Sequence, residues 1–364
     1  MTISLCMIVK NEEAVIGRCL DAVQDIADEI ILVDTGSIDR TVDIAKKYTN
    51  SIYHYPWRDD FAAARNFAFS KARMDYQMWL DADDVIEAED RAKFLEFKRH
   101  MPDADIIMMP YHTAFDQNGR PVFTCYRERL MRRSCGFRWA GAVHEAIAPA
   151  GKVIYSDIAI CHRKEQVNEP GRNLRILENQ LRQDGTLEPR MRFYLGRELH
   201  DTGRDREAAE QLEIFLREPD AWIENRIDAC LTLSACYQAL GQTERILPAL
   251  LQSLEWDTPR AEICCAAGTY FFKQQRLEQA IFWYDLATHC TRRDTGGFSS
   301  PDCYDYLPYM QLCVCYDRLG NTPMAEICNE KAAACKPDDE AVAYNRAYFA
   351  RWHLEREATP APSD

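Results

Sequence analysis

Short apolar runs alternate with segments of helical periodicity in the first half of the chain. A short apolar run predicts a buried strand, and apolar positions that recur every three or four residues predict an amphipathic helix. Strands are predicted at residues 3–9, 29–33, 51–55, 76–80, 106–111 and 122–131. Helices are predicted at residues 12–27, with Asn11 as the N-cap, and at 39–48, 61–72 and 91–100. This alternation is typical of a parallel sheet with crossover helices, so an α/β domain is expected over residues 1–170.

From about Leu174 onward the pattern is almost wholly helical. Small, aromatic and glycine positions recur there at intervals of roughly 34 residues, the period of tetratricopeptide repeats. The four units that share this pattern lie at residues 194–208, 234–241, 267–287 and 313–337. We therefore expect a C-terminal all-α tetratricopeptide-like repeat domain over residues 171–356, interrupted by a loop at 295–301. Residues 357–364, rich in Pro and Ser, are predicted to form a disordered tail.

Charge and apolar content restrict the classes of partner. The 364 residues carry a formal net charge of −14, which argues against nucleic acid and anionic membrane surfaces as partners. No apolar stretch approaches the roughly 20 residues of a transmembrane helix. The N-terminus lacks the features of a signal peptide, so we expect a cytoplasmic protein whose 15 cysteines are reduced. Their spacing contains no paired Cys-x-x-Cys arrangement, which argues against a structural zinc site.

Two carboxylates follow a predicted strand at Asp81-Ala82-Asp83. In an open α/β sheet this strand end is where ligands bind, and carboxylate oxygens suit hard cations such as Mg²⁺ or Mn²⁺. The alternative interpretation is a solvated acidic turn. Asp34 ends an earlier strand, where a carboxylate can accept hydrogen bonds from a base or a ribose. The alternative for Asp34 is an Asx turn and N-cap before the next helix.

Four ordered blocks of this sequence resemble family two glycosyltransferases of the GT-A fold, which is Rossmann-like. The blocks lie at residues 4–13, 33–41, 61–66 and 79–84. A fifth block, Gly141-Ala142-Val143-His144-Glu145, is similar to a segment of the subgroup that includes lipopolysaccharide-core glucosyltransferases and sublancin-type S-glycosyltransferases. The S-glycosyltransferases also carry tetratricopeptide-like repeats after the catalytic domain, in the order seen here.

The resemblance implies roles for residues of the donor site. Asp34 would contact the base or ribose of the donor, and Asp81 the ribose or a metal-bound water. Asp83 would bind the Mn²⁺ or Mg²⁺ ion on the diphosphate. His162 is a candidate further metal ligand, with a surface histidine as the alternative. Arg65 either faces the diphosphate or pairs with a carboxylate on its own helix.

Inverting sugar transfer also needs a base that deprotonates the acceptor. By its position in the resembling segment, Glu145 is the first candidate for this base, and Asp84 is the second. His144 is expected to orient Glu145 or to pack beneath it.

The resemblance and the repeats together predict an inverting, metal-dependent hexosyltransferase. The expected donor is a nucleotide-sugar, a UDP-sugar in the first instance. Because repeat stacks form grooves that commonly receive peptides, the expected acceptor is a peptide or protein at Cys, Ser or Thr. The alternatives are a cell-envelope glycan or lipid-linked sugar as acceptor, or a catalytically silent scaffold that binds a protein partner. The repeats could equally form a homodimer.

Overall fold

The computed structural model describes residues 1–115, 119, 121–165, 169–293 and 299–357. The chain folds into two compact units, Met1–Met191 and Arg192–Asp364, called here the sheet unit and the helical unit. The sequence placed the boundary at residue 170, so the sheet unit includes about twenty residues that were assigned to the repeats. The predicted tail lies outside the described residues from Ala358 onward.

The sheet unit alternates strands and helices along its first hundred residues, as the pattern of apolar runs predicts. Its strands are β1 (Ile3–Val9), β2 (Glu29–Asp34), β3 (Ile52–His54), β4 (Tyr76–Trp79), β5 (Asp84–Val85), β6 (Ile106–Phe115), β7 (Pro121–Arg132), β8 (Val153–Tyr155) and β9 (Ile160–His162). Its helices are α1 (Ile16–Val23), α2 (Thr41–Ala45), α3 (Phe61–Phe69), α4 (Ala88–Arg99) and α5 (Arg172–Asp184).

The described strands form one mixed sheet. Its order is β3-β2-β1-β4-β7-β6-β9-β5, with β8 paired to β6. The first four strands in this order are parallel, so β1, β2 and β4 end at the same edge of the sheet. β7 runs antiparallel to both β4 and β6. This topology confirms the predicted α/β class and gathers the polar residues that follow β1, β2 and β4.

The short strand β5 and its pairing with β9 were not predicted from the sequence. The two strands are antiparallel, and their register places Asp84 directly opposite His162. Two residues of strand are too short for a recognisable apolar pattern. The pair nevertheless brings the acidic turn after β4 next to a histidine 78 positions further along the chain.

Helix α1 is shorter than predicted, and Asn11 does not cap it. The N-cap position is Val15, and no side chain there accepts a hydrogen bond from the helix. The backbone N–H of Asn11 instead donates to Ser37 Oγ, and that of Glu12 donates to Thr41 Oγ1. The Asn11 side chain accepts the backbone N–H of Ile38 and none at the start of a helix, and its φ of 57° is not that of an N-cap residue.

The helical unit consists of antiparallel helix pairs followed by a final helix. The helices of this region are α6 (Pro189–Asp201), α7 (Asp205–Leu216), α8 (Ile223–Ala239), α9 (Thr243–Leu251), α10 (Ala261–Lys273), α11 (Leu277–Thr288), α12 (Tyr306–Arg318), α13 (Thr322–Cys335) and α14 (Glu340–Glu357). Of the loop predicted at 295–301, residues 295–298 lie outside the described residues.

One turn geometry recurs between the helices of the pairs. At each turn a residue of positive φ follows the first helix, and the next backbone N–H donates to the carbonyl five positions earlier. The turn residues of positive φ are Gly203, Gly241, Gln275 and Gly320. The repeated bond is the mark of a Schellman C-cap, and it supports the interpretation of these pairs as four copies of one structural repeat.

Two glycines permit close approach of paired helices. A Cβ at Gly268 of α10 would lie 2.7 Å from the ring of Tyr284 on α11. A Cβ at Gly196 of α6 would lie 2.6 Å from Leu212 of α7. Both distances are shorter than carbon atoms tolerate, so these positions accept only glycine at this helix separation.

The cysteines act as small apolar side chains. All fifteen are free, and only Cys135 and Cys335 are exposed. In the part of the chain that the structure describes, no helix has the length and apolar character to cross a bilayer.

Candidate functional site

A cleft of about 550 Å³ opens at the edge of the sheet where β1, β2 and β4 end. Its wall is completed by residues 143–145, by the segment that follows β9 and by the first turn of α5. The charged and histidine side chains that line it are Lys10, Glu12, Arg65, Asp81, Asp83, His144, Glu145, His162, Lys164, Glu165, Glu169 and Arg172. The cleft therefore contains most of the residues that the sequence proposed for donor binding and catalysis.

The proposed metal ligands Asp83 and His162 meet in this cleft. Asp83 Oδ1 lies 3.3 Å from His162 Nδ1. Asp81, Asp84 and His162 also offer ligand atoms within 4.8 Å of one another. Burial raises the pKa of Asp83, and the charges of Asp81 and Asp84 raise it further, whereas the charge of His162 lowers it. The net result is a raised pKa. Burial lowers the pKa of His162, but the hydrogen bond with Asp84 and the charge of Asp83 outweigh this effect, so the pKa is raised.

These residues fit a hard or borderline divalent cation. Carboxylate oxygens with one imidazole nitrogen are a donor set that Mn²⁺ and Mg²⁺ accept. The crowding of like charges that raises the pKa of Asp83 is also what a bound cation would relieve.

Asp84 lies beneath the cleft in a fully buried network. Its Oδ2 is 3.0 Å from Nη1 of Arg129, and neither side chain has any exposed surface. The same oxygen accepts the backbone N–H of Asp81 at 3.0 Å, and Oδ1 accepts the hydroxyl of Tyr111 at 2.8 Å. The Tyr111 hydroxyl also lies 2.8 Å from His162 Nδ1. This burial does not fit the alternative role of Asp84 as the base, because a base has to touch the acceptor.

Arg65 links two of the candidate residues across the cleft. Its Nη2 lies 2.7 Å from Asp81 Oδ1, and its Nε lies 2.7 Å from Glu145 Oε1. The guanidinium carbon lies over the rings of both Trp79 and Trp139, at 4.7 and 4.9 Å from the ring centres. The alternative that Arg65 pairs with a carboxylate of its own helix does not fit, since Asp81 and Glu145 both lie outside α3. Burial raises the pKa of Asp81, but the charge of Arg65 outweighs this effect, so the pKa is lowered.

Local contacts hold the segment that carries Glu145. The bridge between Ala140 and Ala146 closes this segment, and Ala142 O accepts the backbone N–H of Phe61 at the start of α3. His144 has a φ of 50°, in the left-handed region that non-glycine residues rarely adopt. That His144 orients Glu145 or packs beneath it stays a prediction.

Asp34 lies beside the cleft. Its Oδ1 accepts the backbone N–H of Ser37 at 2.9 Å, a local bond that spans three residues and not the two of the Asx turn given as its alternative interpretation. The next residue, Thr35, contributes to the lining of the cleft. Contact of Asp34 with a nucleoside stays a prediction.

The cleft also includes residues that the sequence reasoning missed. Burial and the charges of Asp83 and Asp81 raise the pKa of Glu12 to about 7. Arg172 and Asn173 reach the cleft from the start of α5, a helix that was assigned to the repeats. Glu12 lies in the block at residues 4–13, so the sequence does carry a signal for it. Nothing in the local sequence around α5 indicates a role in the cleft.

Comparison with known proteins agrees with this geometry. Residues 4–150 match the family model described as Glycosyl transferase family 2. The glycosyltransferase SunS of Bacillus subtilis is 28% identical over 289 residues, which cover 74% of this chain and 65% of SunS. A TPR repeat-containing protein of Synechococcus elongatus is 34% identical over 145 residues, 40% of this chain and 35% of that protein.

A further relative is the lipopolysaccharide core biosynthesis glycosyltransferase LpsC of Rhizobium meliloti, 27% identical over 162 residues, 42% of this chain and 59% of LpsC. The chain thus spans between about a third and two thirds of the length of these relatives. The matched residues 4–150 contain β2 to β7, all of β1 except its first residue, and all five blocks in full. The N-terminal domain of this chain belongs to glycosyl transferase family 2.

Proposed function

We propose that the chain is an inverting, metal-dependent glycosyltransferase that moves a sugar from a UDP-sugar to a peptide or protein. The observation that carries the proposal is the convergence of Asp81, Asp83 and His162 in one cleft, with Glu145 held beside them through Arg65. Cation ligands and a candidate base at one sheet edge are what a single displacement at a sugar carbon requires.

Asp83 and His162 would hold the cation that accompanies the donor diphosphate, with Asp81 at the ribose or at a metal-bound water. The cation, when bound, would offset the charge that develops on the leaving diphosphate. Lys10 and Arg172 also line the cleft and supply further positive charge for an anionic donor. The pairing of Arg65 with Asp81 supports a role for Arg65 in fixing the acidic turn rather than in direct contact with the diphosphate.

Glu145 would take the proton of the acceptor thiol or hydroxyl. In this step the acceptor sulfur or oxygen forms a bond to the anomeric carbon. The bond from that carbon to the diphosphate oxygen breaks, and the nucleoside diphosphate leaves with the electron pair. The side chain of Glu145 is mostly buried and held by Arg65, which keeps the carboxylate oriented between turnovers.

A peptide or protein acceptor is favoured by the helical repeats. Stacks of paired helices present extended surfaces on which a peptide can lie. The test is release of UDP from UDP-sugars in the presence of Mn²⁺, with Cys-, Ser- and Thr-containing peptides compared against matched Ala peptides. Sugar-dependent mass addition to the Cys, Ser or Thr peptide alone supports the proposal. UDP release that no peptide stimulates would contradict the acceptor assignment.

An envelope glycan is the second candidate acceptor. The observation that favours it is the similarity to LpsC, whose name places it in lipopolysaccharide core synthesis. In the same assay, transfer to a lipopolysaccharide core oligosaccharide and to none of the peptides would establish this alternative.

A further inference from the structure

A second group of metal-ligand side chains lies in the helical unit. His200 is in the last turn of α6, Asp205 is the first residue of α7, and Cys236 is near the end of α8. Ligand atoms of these three side chains lie within 4.8 Å of one another. Among the described residues, this group and the one in the cleft are the two in which at least three such side chains converge.

The separations resemble those of a tetrahedral metal centre. Cys236 Sγ lies 3.6 Å from His200 Nδ1. Bonds of about 2.3 Å to sulfur and 2.0–2.1 Å to nitrogen at a tetrahedral angle would separate these atoms by about 3.5 Å. Asp205 Oδ1 is 2.6 Å from the same nitrogen, a hydrogen-bond distance, so a cation would require the carboxylate to withdraw by less than about 1 Å.

The burial of the three side chains also resembles a protein metal site with one open position. Cys236 is fully buried, whereas His200 and Asp205 are partly exposed. Without a cation, the ring nitrogen and the carboxylate form a hydrogen bond that joins α6 to α7. A cation binds the thiolate form of cysteine, so its binding at Cys236 would release the thiol proton.

We propose that His200, Asp205 and Cys236 bind one Zn²⁺ ion, with water at the fourth position. The thiolate and imidazole select a borderline or soft cation, in contrast to the carboxylate-rich group in the cleft. The ion would tie the turn between α6 and α7 to α8 and would thereby stabilise the first repeat. This proposal is independent of the proposed function.

The Cys-x-x-Cys criterion used for the sequence could not have found this group. It contains a single cysteine, and its ligands lie at positions 200, 205 and 236 on three different helices. Only the packing of α8 against the preceding pair brings the thiol to the histidine.

Cobalt tests the proposal directly, because a cobalt–thiolate bond gives a charge-transfer absorption that cobalt bound only to oxygen and nitrogen lacks. The full chain, freed of metal with EDTA, is titrated with Co²⁺. We expect the band to saturate at one equivalent and to disappear when one equivalent of Zn²⁺ is added. Cys236→Ser should remove the band, and Asp205→Asn should weaken Co²⁺ binding by roughly tenfold or more.

Two control variants test whether the absorption band arises from Co²⁺ bound at Cys236. Cys230→Ser changes another buried cysteine of α8 and should retain the band. Asp83→Ala should also retain it, because it removes a proposed cation ligand of the cleft and none of the three residues in the helical unit. Where Cys236→Ser does not give the wild-type circular dichroism spectrum, His200→Gln takes its place with the same expected loss. Absence of the band in the wild-type chain, or its persistence in the folded cysteine or histidine variant, would overturn the proposal.

Discussion

Glu145 and Asp81 share the guanidinium of Arg65, so the candidate base and the acidic turn are held by one residue. Glu145→Gln keeps the size of the side chain and a hydrogen-bond acceptor for Arg65, but it removes the basicity of the carboxylate. We expect donor affinity to change little and the transfer rate to fall by at least about 100-fold. Glu165→Gln, at another carboxylate of the cleft, is the matched control and should retain most activity. Normal turnover in Glu145→Gln would remove Glu145 from the role of base.

Glu12 makes the stability of the metal-free protein depend on pH. Because burial and neighbouring carboxylates raise its pKa from an ordinary value of 4.5 to about 7, the folded state holds the proton more tightly than the unfolded state. Stability attributable to Glu12 is therefore full below the ordinary pKa and is lost as the pH rises toward about 7. Urea denaturation of metal-free protein at about pH 5 and about pH 8 should show a smaller loss in Glu12→Gln than in wild type. Equal losses would mean that Glu12 titrates normally.

Arg129 and Asp84 form an ion pair without access to water. Arg129→Met removes one partner and leaves the other charge buried, which typically costs about 3–5 kcal/mol of unfolding free energy. The double variant Arg129→Met with Asp84→Asn removes both charges, so it should be destabilised less than the single variant. Chemical denaturation measures the unfolding free energy of the single and of the double variant. If Arg129→Met were as stable as wild type, the buried charge of Asp84 would not need Arg129 for its stabilisation.

At the scale of elements, close helix packing in the repeats depends on glycine. In Gly268→Ala the new methyl group would meet the ring of Tyr284, so α10 and α11 must separate. We expect a loss of about 1–3 kcal/mol in thermal or urea unfolding. Gly268→Ala combined with Tyr284→Leu should cost less than the sum of the two single changes, because the smaller side chain leaves room for the methyl group. Additive costs would argue that the two residues do not limit the helix separation.

The longer elements follow from local sequence, whereas the short ones do not. The apolar runs of β1, β2 and β4 are buried on both faces and were recognisable as strands. β5 and β9 have two and three residues, and their pairing depends on contacts across the sheet. Helix α1 also departs from its pattern, because Asn11 bonds to the loop after β2 through its backbone and its side chain and does not cap a helix. Local periodicity carries no information on such distant partners.

At the scale of the whole molecule, the sequence placed the acidic turn, His162 and Glu145 in one domain, and the fold brings them into one cleft. The role of Asp84 was misjudged because its partner Arg129 is 45 positions away and no motif links the two. The contribution of α5 was missed for a related reason, since its helical pattern resembles that of the repeats that follow. Residue types and short motifs predict the chemistry, and tertiary packing decides which carboxylates line the cleft.

Binding of a nucleotide-sugar that depends on Mn²⁺ is the most direct test of the central claim. Thermal unfolding of the full chain is measured with UDP-, GDP-, CMP- and dTDP-sugars, each with and without Mn²⁺. We predict that a UDP-sugar with Mn²⁺ raises the midpoint by a few degrees at saturation, and that the rise is lost without Mn²⁺ and in Asp83→Ala. No rise with any donor, or an undiminished rise in Asp83→Ala, would contradict the assignment of this cleft as a metal-dependent donor site.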